Sequence, residues 1–400
     1  MSDPNTTNDE LPSPNCKHLD RCLSIAIVAG EASGDTHGAA LMQSLSAQNP
    51  AIVFSGAGGP KMEAHAHASG GTIDNWIAEA AVLGLWEVLK KYGYFRTKFS
   101  ALLKQLTETT PDAIILVDYP GFNLRLAKAI RRRKLPIKIF YYISPQVWAW
   151  NRRRIPEMAR ALDLMICIFP FEEKFYQASG LPTSFAGHPL VERLTNERKI
   201  SVIQRDEKLL GLFPGSRERE VRKIFPAMME AAQRVMQSRP DVRCEVAAAT
   251  AAHGEMMKST IAEANISMTV TIGHAHELMQ RAAFGLICSG TATLEAACFG
   301  LPYALVYKVA WLTYAVGRQL IRVPHLGIIN ILAEQPVIRE FIQNNATPDA
   351  LATEALHFLN NKEAREKLSS KLENVVATLH GEGAYDRAAA AILQEIGYGR

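Results

Sequence analysis

No apolar run in this chain of 400 residues approaches the roughly 18 residues that a membrane-spanning helix needs. The expectation is a protein that is soluble or lies on a membrane surface. The six cysteines, at 16, 22, 167, 244, 288 and 298, include no CxxC. Nothing in that spacing announces a disulfide frame, so a reducing compartment is favoured and Cys167 and Cys288 read as buried thiols. A DxD pair of acids is missing, which argues against a divalent ion clamped on a diphosphate. His65/His67 and His274/His276 lack a convincing third ligand, so no metal is expected. The loop after the first strand lacks GxGxxG, and neither a P-loop nor GxSxG occurs. No cofactor is expected. An excess of 44 Lys and Arg over 40 Asp and Glu is too small to suggest nucleic acid. Positive charge is local, at Arg131–Lys134 and Arg152–Arg154. It fits solvated helix ends or contact with acidic lipid or a phosphorylated substrate.

What is present is an ordinary globular composition, 48% hydrophobic and 21% charged. The length suits two domains. Residues 1–20 are polar and read as a disordered tail rather than a signal peptide. From Leu23 apolar strand-like runs alternate with helical ones. The first series is Leu23–Ala29, Ala51–Ser55, Ala113–Val117, Ile137–Tyr142 and Leu164–Phe169. The second is Leu209–Phe213, Arg243–Ala247, Met268–Ile272, Phe284–Cys288 and Tyr303–Tyr307. Such alternation predicts α/β architecture, with two Rossmann-like domains facing a cleft. The break is expected within 187–208, giving domains at 21–190 and 191–379, with a helix near 380–400 packing back on the first.

Two loops carry the strongest chemical signal. Gly215-Ser216-Arg217-Glu218-Arg219-Glu220 and Ser289-Gly290-Thr291-Ala292-Thr293-Leu294-Glu295 each follow a strand and open a helix. Bare amides at such ends hold phosphate without a metal. Arg217 adds a planar, permanently charged fork. Glu295, one turn into its helix, is placed to take a sugar's hydroxyls. Pro226 is expected to open the longer helix behind the first loop.

In the first half, AGEASGD (Ala29–Asp35) follows the first strand. Either Ser33 or Asp35 caps the next helix, or Glu31 or Asp35 binds acceptor hydroxyls beside Ser33 and Gly34. Asp118 begins DYPGFN (Asp118–Asn123) at a strand's carboxyl end. It is the candidate general base, against the alternative of a turn-forming aspartate. Trp148 and Arg152 lie in SPQVWAWNRRR (Ser144–Arg154), either a packed loop with surface charge or an amphipathic rim near acyl chains. Val82, Leu83, Leu85, Trp86 and Leu89 form a helical apolar stripe. That is core packing, or an interfacial helix if the substrate is a lipid.

In the order and spacing of these strings, with PFEEKFY (Pro170–Tyr176), AGHPL (Ala186–Leu190) and the segment around Asn330, the chain resembles the lipid-A-disaccharide synthase family from about Leu23 to about Gln394. That resemblance implies a GT-B glycosyltransferase working with UDP-2,3-diacylglucosamine and 2,3-diacylglucosamine 1-phosphate (lipid X). The implied product is a β-1,6 disaccharide 1-phosphate, formed with inversion and release of UDP. It further implies that Gly215, Ser216, Arg217, Glu220, Ser289, Gly290, Thr291, Glu295 and Asn330 serve the UDP-sugar. Asp118 and Glu31 would serve catalysis, and Ser33, Gly34, Asp35, Asn123, Trp148 and Arg152 the acceptor. The 82–89 stripe would face the inner face of the inner membrane. A homodimer is expected on family grounds alone. Gly121 and Gln146 stand where the family pattern varies. The rival readings are a same-fold UDP-N-acetylglucosamine epimerase, an N-acetylglucosaminyltransferase with undecaprenyl-linked acceptors, and a membrane-surface binding protein without turnover.

Overall fold

The computed structural model of the protein describes residues 22–77, 88–200, 203–309 and 324–397. The stripe residues Val82, Leu83, Leu85 and Trp86 lie outside these, and of Leu89 only the helical backbone is described. The first domain runs β1 (Leu23–Ala29), α1 (Ala32–Gln48), β2 (Ile52–Ala57), α2 (Pro60–Ala68), β3 (Thr72–Asp74), α3 (Val88–Thr109), β4 (Ala113–Val117) and α4 (Pro120–Arg132). It continues through β5 (Lys138–Tyr142), α5 (Val147–Trp150), α6 (Ile155–Ala161), β6 (Leu164–Cys167), α7 (Pro170–Gln177) and β7 (Thr183–Phe185). Helix α8 (Pro189–Ile200) leads out of it.

The second domain runs β8 (Asp206–Phe213), α9 (Glu218–Ser238), β9 (Arg243–Ala248), α10 (Ala251–Glu263), β10 (Thr269–Ile272), α11 (Ala275–Arg281), β11 (Ala282–Cys288), α12 (Thr291–Cys298) and β12 (Tyr303–Tyr307). Helix α13 (Ile328–Ala333), β13 (Glu340–Ile342), α14 (Pro348–Asn360) and α15 (Lys362–Ala377) follow, and α16 (Ala384–Ile396) closes the chain.

Both sheets are parallel. Their orders are β3-β2-β1-β4-β5-β6-β7 and β10-β9-β8-β11-β12-β13. The central strands are apolar throughout because helices cover both faces; β4, Ala-Ile-Ile-Leu-Val, is wholly buried. The strands β3, β7 and β13 have three residues each, too few to show a period in the sequence.

Pro226 does not open a helix. It lies inside α9, which begins at Glu218. The two turns before it bury Val221, Ile224 and Phe225. At about 1.5–3 kcal/mol each, they outweigh the roughly 3 kcal/mol that an interior proline costs. Helix α16 leaves the second domain and returns to the first. Its Ala388, Ala389, Ile392 and Leu393 share a core with Ile25 and Ile27 of β1 and Leu41 of α1. Tyr385 Oη meets His37 Nδ1 at 3.0 Å, and Gln48 Nε2 donates to the Asp386 carbonyl at 2.9 Å.

Cys167, Cys244, Cys288 and Cys298 are free and buried. Cys22 is disulfide-bonded, which the scattered spacing did not announce. Among the described residues no helix is long and apolar enough to cross a membrane. None of their His, Cys, Asp and Glu side chains form a group of three or more able to hold a metal ion.

Candidate active site

Each sheet reverses its strand order once near the middle, the point at which folds of this kind open a crevice at the strands' carboxyl ends. In the first sheet the reversal lies between β1 and β4, where Ala29 pairs with Val117. Glu31 follows one of these strands and Asp118 the other. In the second sheet it lies between β8 and β11, where Phe213 pairs with Ile287. Those strands deliver Gly215–Glu220 and Ser289–Glu295.

Asp118 and Tyr119 are consecutive non-glycine residues with positive φ, 44° and 48°. Such backbone costs on the order of 1–3 kcal/mol per residue and persists only when its surroundings over-determine it. The Asp118 carbonyl accepts from Tyr141 Oη at 2.6 Å and Asn123 Nδ2 at 2.7 Å. Its amide donates to the Tyr142 carbonyl at 2.9 Å. The Tyr119 ring lies over Gly30, where a Cβ would come within 2.1 Å of it. Burial, and then the nearby Glu31 carboxylate, push the Asp118 carboxyl from 3.8 up to about 6. Glu31 is exposed at the N-cap of α1, makes no capping bond, and accepts from Ser33 Oγ at 2.9 Å.

Other acceptor-side candidates are turned inward. Asp35 is buried, 3% exposed, and caps α2 rather than α1. Its carboxylate accepts from the amides of Gly59, Lys61 and Met62 at 3.0–3.2 Å. Those bonds leave it turned into the domain. Gly34 is buried as well, and lets α1 lie close on β1, where its missing Cβ would stand 3.2 Å from Ala29 Cβ. Asn123, 0% exposed, holds the strained turn through the carbonyls of Val117 and Asp118.

Trp148 is a packed side chain, not an amphipathic rim. It is 4% exposed, donates from Nε1 to Glu172 Oε1 at 2.8 Å, and sets its ring edge-on to Phe171. Arg152 remains exposed, with its guanidinium over Phe175.

In the second domain Gly215 has φ 111°, a conformation that favours glycine, and a Cβ there would crowd Glu220 and Cys288. Arg217 is the N-cap residue of α9, largely exposed, and donates to Glu220 Oε1 at 2.8 Å. Burial, helped by Glu220, pushes the Cys288 thiol up to about 12, so it is an inert neighbour. Gly290 is the N-cap of α12, and Gly290 and Thr291 are exposed at its mouth. Glu295 Oε2 stands 3.7 Å from His276 Nε2, an ion-pair separation, while His276 Nδ1 lies 3.0 Å from Glu197 Oε1. Glu295 first, and then Glu197, raise the His276 pKa against the effect of burial.

Asn330 is held inside the second domain. It donates to the Ile338 carbonyl and Glu340 Oε1 and accepts from the amides of Val337 and Ile338, at 2.8–2.9 Å. All its hydrogen-bonding positions are occupied. It is 1% exposed and clamps the segment between α13 and β13. No hydrogen bond or ion pair among the described residues joins the Asp118 group to the Arg217 group.

The profile of the lipid-A-disaccharide synthetase family matches residues 25–395. This chain belongs to that family. A lipid-A-disaccharide synthase of Geobacter sulfurreducens is 38% identical over 384 residues, 93% of this chain and 97% of its own. That of Trichlorobacter lovleyi is 38% identical over 378 residues, with the same coverage.

Solved structures share the fold at much lower identity. A putative UDP-N-acetylglucosamine 2-epimerase from Listeria monocytogenes has TM-score 0.62 at 14% identity, covering 95% of this chain and 98% of its own. The calicheamicin glycosyltransferase has TM-score 0.58 at 13% identity, covering 95% and 99%. The chain is thus a glycosyltransferase of lipid A biosynthesis with the GT-B arrangement of two parallel α/β sheets.

Three further residues of the site region carry little signal in the sequence. Tyr119 gave no signal because left-handed backbone before a proline is rare. His276 was visible only as half of a weak histidine pair. Glu172 sits within PFEEKFY, yet it is 0% exposed, with Ser144, Trp148 and the Phe169 amide as donors. Burial raises its carboxyl to about 7. A glutamate in a helix gives no sign of burial until its partners are known.

Proposed function

We propose that the protein joins UDP-2,3-diacylglucosamine to 2,3-diacylglucosamine 1-phosphate through a β-1,6 bond, releasing UDP, at the inner membrane's cytoplasmic surface. The observation that carries this reading is the strained, half-buried Asp118 at one crevice, with the exposed Arg217 and the open start of α12 at the other. The family gives the reaction class, and the two crevices divide its chemistry.

In this reading the 6-hydroxyl oxygen of the acceptor attacks the anomeric carbon from the face opposite UDP. The carbon–oxygen bond to UDP breaks with its electron pair, inverting the anomeric centre, and the hydroxyl proton passes to Asp118. A carboxyl near 6 is largely ionised at neutral pH and still basic enough to take that proton. Burial, and then Glu31, keep the Asp118 value raised, and Glu31 holds Ser33 at the rim. Arg217 and the amides of Ser216, Gly290 and Thr291 meet the charge that grows on the pyrophosphate, each donor worth roughly 3 kcal/mol at such a site. Glu295, steadied by His276, takes hydroxyls of the nucleotide sugar.

The test is incubation with both substrates, with mass spectrometry of the lipid phase and assay of released UDP. A disaccharide 1-phosphate formed with stoichiometric UDP is expected. Conversion of UDP-N-acetylglucosamine without any acceptor would overturn the reading in favour of epimerisation.

A further inference from the structure

A cleft of about 460 Å³ opens between α3 and α4, directly beside the strained turn that carries Asp118. Its volume falls within the range of small-molecule sites, roughly 300–1,000 Å³. Phe95 and Phe99 form the α3 wall, and Tyr119 and Phe122 the α4 wall. The rings brace one another. Phe99 meets Phe122 edge-on at 5.4 Å, and Trp76 meets Phe122 at 4.7 Å and Phe95 at 5.9 Å. The wall is therefore preorganised rather than collapsed.

Two exposed arginines, Arg96 and Arg125, also line the cleft. Neither makes an ion pair or side-chain hydrogen bond among the described residues. Gly121 lies in the first turn of α4 and borders the same space. A Cβ there would meet nothing within 4 Å, and its φ is not positive. A helix glycine is less stable than alanine, and nothing in the packing here requires one. Its lack of a side chain keeps the cleft open.

We propose that this cleft takes one acyl chain of the acceptor, with Arg96 and Arg125 meeting the acceptor's phosphate. The inference rests on the acceptor reading above and deepens it. The charge is complementary, and the cleft is continuous with Asp118 through Tyr119. A chain seated there brings its sugar beside the base, and Gly121 sets how much of the chain fits.

The test uses the full chain, with UDP-2,3-diacylglucosamine as donor and 2,3-diacylglucosamine 1-phosphate of graded chain length as acceptor in mixed micelles. Gly121→Trp is expected to raise the acceptor KM about tenfold or more (about 1.4 kcal/mol). The donor KM should be unchanged, the melting temperature not lowered, and the rise should shrink as the acceptor's chains are shortened. Arg96→Glu combined with Arg125→Glu is expected to raise the acceptor KM by a similar factor.

An unaltered acceptor KM in Gly121→Trp overturns the proposal, and so does a rise confined to the donor. A melting temperature lower by several degrees would mean that the chain's own residues fill the cleft, which also overturns it. Absence of transfer by the wild-type protein refutes the acceptor reading instead. Calorimetric titration with the 1-phosphate lipid then decides the cleft by itself: binding that Gly121→Trp abolishes supports it, and no binding to the wild type overturns it.

Discussion

The two crevices have the same topological origin and opposite chemistry. That of the first domain is anionic, half-buried and strained, with Glu31 and Asp118 near each other and two successive residues in left-handed backbone. That of the second is open, with an exposed arginine and helix starts whose amides face solvent. A strand-order reversal provides a place and does not specify a reaction. At the first crevice the backbone is strained and desolvation lifts a carboxyl; at the second, donors are left exposed at modest conformational cost.

The sharpest way to break this comparison is at Asp118. Asp118→Ala is expected to lower kcat about 10²-fold or more while UDP affinity, measured by calorimetry, stays within twofold. Near-normal turnover would remove Asp118 from the role of base. The reciprocal change, Arg217→Ala, should weaken UDP binding by roughly tenfold to a hundredfold, as loss of a charge-assisted pair predicts. Equal UDP affinity in variant and wild type would show that the second crevice does not hold the pyrophosphate through this side chain.

A smaller effect concerns stability. The Asp118 carboxyl lies near 6 in the folded chain against 3.8 ordinarily, so folding favours its protonated form. Its stabilising contribution is complete below about 4 and is lost as pH rises through about 6. Asp118→Asn should therefore stabilise the protein by on the order of 1 kcal/mol at pH 8 and by less at pH 4. Denaturant titration at the two pH values measures this, and equal shifts would argue against a strained base.

The smallest effect is at Glu31. The acid limb of kcat/KM should rise through about 6. Glu31→Gln should move it downward only slightly, because burial is the larger cause of the Asp118 shift and remains. A limb that does not move would take Glu31 out of the electrostatics of the base.

Much of this arrangement was legible before any coordinates. The apolar runs at Leu23–Ala29, Ala113–Val117 and Tyr303–Tyr307 coincide with strands, because central parallel strands are buried on both faces and carry no polar interruptions. The loops that open α9 and α12 were visible because small residues before a helix are a local signal. What stayed hidden was the direction of polar side chains. Asp35, Asn123, Trp148 and Asn330 sit in distinctive strings yet spend their bonds inside the fold. A string that marks a site contains both the residues that touch a ligand and those that hold the first kind in place. Spacing alone does not separate them. Pro226 misled for a related reason, since the burial that outweighs its cost is tertiary.

Helix α16 has a consequence for how the chain matures. The first domain is synthesised early, but part of its interior, next to Ile25, Ile27 and Leu41, is supplied by Ala388, Ala389, Ile392 and Leu393. Until the ribosome has nearly finished, the apolar surface of β1 and α1 has no permanent cover. The first domain therefore cannot close its core before α16 has been made, and loss of Ala388–Leu393 would cripple the end of the molecule that was translated first.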